Sequence, residues 1–150
     1  MAGKKAQGAV KKSDILAASL KLFHEKGYEA TSIQDVATAV GLLKGSLYHH
    51  ISSKEELLYE IVTQVLNQLI PKLEVWRSLE GSSLDRLTRF MEEYGLHVIA
   101  NQESISVMFR DYSALTEAHR AKVIEMQRQY DRFLAELIET GRQDGSIAEL

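Results

Sequence analysis

The sequence predicts an all-α fold, and three observations carry that prediction. Apolar residues recur at three- and four-residue steps through most of the chain, no segment shows the every-other-residue alternation of a strand, and Ser, Thr and Gly punctuation cuts the pattern into helix-length pieces. At 150 residues and 45% hydrophobic content, the chain fits one medium domain or a small N-terminal unit fused to a helical body, with apolar material for a sizeable core. The expected division is a loose arm over residues 1–12, a compact three-helix unit over 13–57, and a helical body over 58–150.

The arm is rich in Lys, Gly and Ala without an apolar run, so it is not a signal peptide. A first helix is predicted from Ser13 as N-cap to Lys26, with Ile15, Leu16, Leu20 and Phe23 facing inward and Gly27 as the stop. Thr31 with Gln34 has the spacing of a capping box, opening a second helix whose stripe is Ile33, Val36, Ala37 and Val40. Gly41 ends it, because a helix end commonly needs the left-handed backbone that glycine adopts without steric cost. From Leu42 to His50 a third helix of about two turns carries few apolar residues, namely Leu42, Leu43 and Leu47. Its remaining face is polar: Lys44, Ser46, Tyr48, His49 and His50. Gly45 inside a helix costs roughly 0.5–1 kcal/mol against Ala, a cost that makes sense where a backbone must approach a ligand closely. Ser52 with Glu55, or Ser53 with Glu56, then caps a long helix running to about Ile70, before Pro71. Lys54 in its first turn opposes the helix dipole unless an anion lies nearby.

Beyond the break at Glu80–Ser83, Ser82 or Ser83 caps a helix carrying Leu84, Leu87, Phe90, Met91, Tyr94, Val98 and Ile99. A further helix holds Ile105, Val107, Met108, Phe109 and Tyr112. Thr116 then caps a last helix predicted to end at Gly141.

Two short helices around a glycine turn, the second one polar and rich in donors, form the pattern of a helix-turn-helix reader of double-stranded DNA. Individually, Tyr48 fits an ordinary core position and His49, His50, Lys44 and Lys54 fit a solvated surface; together, within 24 residues, they point to DNA. Charge agrees. Residues 1–50 hold seven lysines against four carboxylates, a balance of +3, whereas residues 51–150 carry −6, giving the net −3. That net charge excludes a protein that coats nucleic acid by charge alone, while the segregation suits a DNA-facing end.

At these residues the chain resembles the TetR family of transcriptional regulators. The matching segments are the Gly27-Tyr28 turn, Thr31 to Ala37, and Gly41 to Leu57, within about the first 60 residues. One departure is Ile51, where the family usually carries phenylalanine. The resemblance implies that Lys44, Gly45, Ser46, Tyr48, His49 and His50 face the major groove and its rim, that Thr31 and Ser32 touch the DNA backbone, and that Lys54 holds a phosphate. It places sequence choice on Leu42, Lys44, Gly45 and Ser46, with Lys44 donating to guanine and Leu42 or Leu43 meeting a thymine methyl. It further implies a ligand-released repressor reading a palindromic operator as a homodimer. The small-molecule effector would be apolar or acyl-CoA-like and lodge in the body. Polar residues embedded in the body helices, Tyr94, His97, Asn101, Arg110 and Tyr112, are the candidate ligand contacts. Two further family helices are expected past the equivalent of Gly145, so the chain reads as C-terminally incomplete.

An enzyme is the competing class, but the chain has no G-x-S-x-G elbow, no H-E-x-x-H pair, no P-loop and no G-x-G-x-x-G. His49 and His50 are adjacent, so on a helix they diverge by about 100° and cannot grip one metal as i, i+4 ligands do. No catalytic residue, metal ligand or cofactor is therefore assigned. The absence of cysteine excludes disulfides and thiolate chemistry and suits the cytoplasm, and no apolar run is long enough for a membrane span. The alternative to a regulator is a helical adaptor that binds protein alone through its long apolar helices.

Overall fold

Helix α1 spans Lys12–Lys26 in the computed structural model, which describes residues 10–148. Most of the expected arm lies outside the described residues. Lys11, not Ser13, occupies the N-cap, because the Asp14 carboxylate accepts from the Lys11 N–H at 2.8 Å and holds the first turn.

Helix α2 covers Ile33–Ala39 and corrects the expected cap. Ser32 is the N-cap residue: its Oγ accepts from the Asp35 N–H at 3.1 Å, and the Asp35 carboxylate accepts from the Ser32 N–H at 2.8 Å. Thr31 is buried instead, its hydroxyl donating to the Gly27 carbonyl at 2.8 Å and tying the end of α1 to the start of α2. Gly41, at φ +70°, makes the turn, and the Leu42 N–H closes it on the Ala37 carbonyl at 2.9 Å. Helix α3 is shorter than expected, Lys44–Leu47, with Tyr48 to His50 continuing as turns. It is anchored by Leu47, wholly buried with Val36, Phe23 and Ile51. Ile51 at the departure from the family pattern is 4% exposed, so an aliphatic side chain fills that core position.

Helix α4 runs Lys54–Leu69. Both expected serines are used, and both meet one residue: Ser53 Oγ accepts from the Glu56 N–H at 3.0 Å, while the Ser52 N–H donates to the Glu56 carboxylate at 2.6 Å. Those bonds hold Glu56 below the usual carboxylate range. Leu57, Leu58, Ile61, Val62, Val65 and Leu66 are buried on several sides because α1, α7 and α8 all pack on this helix. Pro71 ends α4 but opens α5, Lys72–Arg77, a short helix absent from the sequence prediction. Helix α6, Ser83–Ala100, starts at a Ser32-like cap formed by Ser82 and Asp85. Helix α7 spans Gln102–Asp111 and passes through a single 3₁₀ turn, Tyr112–Ala114, to Thr116, which caps α8, Glu117–Gln143.

Helix α8 does not stop at Gly141. The chain turns at Gly145, φ +75°, and folds Ile147 back onto Gly141, where an added Cβ would lie 2.5 Å from the isoleucine side chain. That glycine serves close packing and not termination. The Ser83 hydroxyl donates to Asp144 at 2.8 Å and pins this end to the start of α6.

Apolar burial forms two clusters. The larger joins α1–α4 to Val107, Met108, Leu115 and Val123 of the body, so the reader's core runs on into the body. The smaller gathers Leu69, Leu73, Trp76, Phe90, Phe133 and Leu137.

Candidate nucleic-acid interface and effector cavity

Helix α3 is presented outward on a buried plug. Leu47 is 0% exposed, whereas its neighbours Lys44, Gly45, His49 and His50 are exposed, Tyr48 is 48% exposed and Leu43 79%. Ser46 is partly exposed, and Leu42 packs partly against the reader core. Gly45 has a negative φ, and a Cβ there would meet nothing within 4 Å. The fold does not demand glycine at this position, so its use points to something outside the chain.

Two of the expected contacts are corrected. Thr31 is 1% exposed and its hydroxyl is spent on carbonyls of α1 and its C-cap, so its side chain does not reach a DNA backbone. The charge opposite Lys54 is met by the chain itself: its Nζ donates to the Tyr28 carbonyl at 2.9 Å and the Thr31 carbonyl at 3.0 Å, 4.2 Å over the Tyr28 ring. Lys54 thus fixes the loop that presents α2, and only one of its N–H groups is left for a phosphate. Ser32 is exposed, its hydroxyl already engaged with Asp35.

Reader and body are joined by polar contacts that sequence reasoning missed. Glu55, in the first turn of α4, accepts from the Thr116 N–H at 2.8 Å and meets His119 Nδ1 at 2.9 Å, while His119 stacks on Tyr59 at 3.8 Å. Burial pushes the Glu55 carboxyl up, but the Thr116 N–H and His119 outweigh it and hold the group below the usual carboxylate range. A depressed carboxylate contributes stability that is present above its unfolded value, about 4.3, and is lost as pH falls through the folded value. Glu55→Gln is therefore expected to lower stability at neutral pH by about 1 kcal/mol. The gap in melting temperature from the wild type should hold above about pH 4.3, the unfolded value, and close as pH falls below it through the lower folded value; a gap independent of pH contradicts this.

The second joint corrects Arg110. Its guanidinium pairs with Asp111 at 2.8 Å and donates to the Phe23 and His24 carbonyls, clamping α7 onto the end of α1. It is not among the residues that line the body cavity described below. Nor is Tyr112, whose hydroxyl donates to the Arg120 carbonyl at 3.5 Å and whose ring packs on the first core. Carbonyls at the C-terminal end of α1 and in the first turns of α8 accept from these side chains, and sequence gives no sign of which carbonyls they reach.

A cavity of about 440 Å³ lies among α4, α6, α7 and α8, walled by apolar side chains including Leu69, Phe90, Met108 and Leu134. Of the candidate ligand contacts, Tyr94 and His97 line it. Asn101 lines a different cleft of about 370 Å³ between α1, α4 and the start of α7, and its amide binds back to His97. Phe90, Met108 and Tyr130 of the cavity wall were not singled out, because an apolar stripe at helical spacing has the same pattern whether it faces a core or a cavity. Burial pushes the His97 imidazole below its ordinary value. Tyr130 is pushed up by burial while its hydroxyl donates to the Leu66 carbonyl.

An outward polar helix behind a glycine turn, mounted on a helical body with a half-open apolar pocket, defines a helix-turn-helix transcriptional regulator. Residues 15–61 match the model of the bacterial regulatory proteins of the tetR family, and residues 80–150 match a tetracyclin repressor-like C-terminal domain. The transcriptional regulator PfmR from Thermus thermophilus is 37% identical, with a TM-score of 0.84 over 91% of this chain and 74% of that one. The repressor KstR2 of Mycolicibacterium smegmatis is 27% identical over 95% of this chain and 70% of its own length. AibR, solved with isovaleryl coenzyme A and operator DNA, is 28% identical at a TM-score of 0.81, covering 93% and 76% of the two chains. The chain belongs to the TetR family of bacterial transcriptional regulators, a family of DNA-binding proteins and not of enzymes. The adaptor alternative is not favoured. Among the described residues no helix is long and apolar enough to cross a membrane.

Proposed function

We propose that the protein is a cytoplasmic repressor that grips a palindromic operator as a homodimer and releases it when a small molecule enters the body cavity. The division of labour follows the expected boundaries: reader over 13–57, body over 58–150, with α4 shared between them. The observation that carries the reading is the exposure of Leu43 to His50 around a fully buried Leu47, which holds a donor-rich surface rigidly outward. In this reading Lys44, Gly45 and Ser46 meet base edges, aided by Leu42 and Leu43, while Ser32, Tyr48, His49 and His50 fix the backbone. Lys54 acts mainly by positioning.

A single reader spans one half-site, so two copies about one helical turn apart supply the affinity of a specific operator. The cavity suits an apolar effector group, as with the acyl-CoA ligand of AibR. Such an effector releases DNA only by favouring the conformation that binds the operator poorly, so operator and effector weaken one another equally. Selection of bound fragments from random duplex DNA tests the reading. An enriched inverted repeat is the expected result; recovery of no common sequence overturns it.

A further inference from the structure

We propose that Arg110 is the positioning residue through which filling of the body cavity reaches the reader. The inference rests on that cavity being the effector site. Helix α7 is a wall one helix thick between the cavity and α1. Ile105, Met108 and Phe109 line the cavity. Val107 and Arg110 each follow a cavity residue by two positions, about 200° around the helix, and so lie on the opposite face. Val107 is buried in the core it shares with Phe23, and the Arg110 guanidinium donates to the Phe23 and His24 carbonyls. Close-packed interiors are stiff, so an occupant that displaces Met108 displaces this ten-residue helix as a unit.

The end of α1 that Arg110 grips is also where the reader is held. The guanidinium brings positive charge to a helix C-terminus, where the dipole favours it, and Asp111 pairs with it at 2.8 Å and fixes its direction. Within the same stretch the Leu22 and Gly27 carbonyls accept from the Thr31 hydroxyl at 3.3 and 2.8 Å, next to Ser32, the cap of α2. A shift of α7 therefore carries the end of α1, and the end of α1 carries the start of α2 and, with it, α3.

The other polar joints between reader and body stand further from the cavity. Glu55 is about 15 Å along α4 from Val65, and His119 about 12 Å along α8 from Gln127, at a rise of about 1.5 Å per residue. Arg110 adjoins Phe109 directly. It is thus the joint that an occupant of the cavity disturbs first.

The test measures how far operator and cavity probe oppose one another. The apolar dye nile red is titrated into the full chain with and without a saturating operator duplex, the fragment enriched from random DNA. In the wild type the duplex is expected to weaken dye binding about tenfold, and Arg110→Leu to shrink that ratio to about twofold or less. Arg110→Lys, which keeps a cation for the same carbonyls, should keep most of it. Glu55→Gln, at the more distant joint, should leave it in place. A purely structural role would lower stability or shift either affinity without removing the ratio. If Arg110→Leu keeps the wild-type ratio, or Glu55→Gln erases it as fully, the inference falls while the effector reading stands. If the dye does not bind the wild type, or binds it equally with and without the duplex, both fall together. Should Arg110→Leu fail to fold, as judged by circular dichroism, hydrogen exchange of the wild type decides. The dye should alter the protection of the Gly27 amide, bonded to the Phe23 carbonyl at 2.9 Å, and unaltered protection there overturns the inference.

Discussion

Lys44→Ala is expected to weaken operator binding by about ten- to a hundredfold while leaving helical content and melting temperature unchanged, because its side chain is exposed. Two readouts separate its roles. A contact to a guanine edge predicts relaxed choice at one base position; a contact to phosphate predicts uniform weakening and a salt slope smaller by about one. Gly45→Ala sharpens the point. The added methyl meets nothing within 4 Å and replaces a glycine within a helix, so the isolated protein should gain about 0.5–1 kcal/mol. On DNA the same methyl intrudes where the backbone approaches the groove, and affinity should fall. A variant more stable and yet weaker on DNA is hard to explain by misfolding. Fluorescence anisotropy with a labelled operator at several salt concentrations measures both variants; wild-type affinity in both would remove α3 from the interface.

Trp76→Ala is expected to cost about 3–5 kcal/mol, a large share of the roughly 5–15 kcal/mol that holds a domain of this size. Trp76 is 1% exposed and packs edge-on to Phe90 at 5.0 Å and against Phe133 at 6.0 Å, so its removal leaves a cavity that these rings cannot close. Its neighbourhood is polar as well as apolar: the indole, with Lys72, holds Glu93 below the usual carboxylate range. Because α5 has only six residues, it has little helical stability of its own and depends on Trp76 and Leu73 for its place. Urea unfolding followed by far-ultraviolet circular dichroism measures the loss, since the change removes the chain's only tryptophan. A cost below about 1 kcal/mol would mean that this cluster does not hold the body together.

The helical elements were legible where local chemistry fixes them. Caps such as Ser53, Ser82 and Thr116 satisfy backbone N–H groups two or three residues away, and glycine at Gly27 and Gly41 meets a local backbone need. The errors came where two local solutions compete. Thr31 and Ser32 both have capping chemistry, and the outcome was set by α1, whose carbonyls drew the Thr31 hydroxyl inward. Gly141 reads as a stop until Ile147 is seen resting on it. Pro71 reads as an end, yet it is equally fit for a first turn, and α5 begins there.

The outward surface from Leu43 to His50 was visible in the residues because a polar, donor-rich helix beside a buried leucine has a pattern along the chain. The residues that line the cavity had no such pattern. Of the five body residues, Tyr94 and His97 reach the cavity, Asn101 turns to His97, and Arg110 and Tyr112 serve other helix ends. By itself the sequence determined the all-helical class, the glycine-turned reader and its exposed face, since these follow from hydrogen bonds and periodicity within a few residues. Only the tertiary structure decided which polar side chains bind carbonyls and which border empty space. Those partners lie as much as 87 residues apart, as Arg110 and Phe23 do, and no local rule connects them.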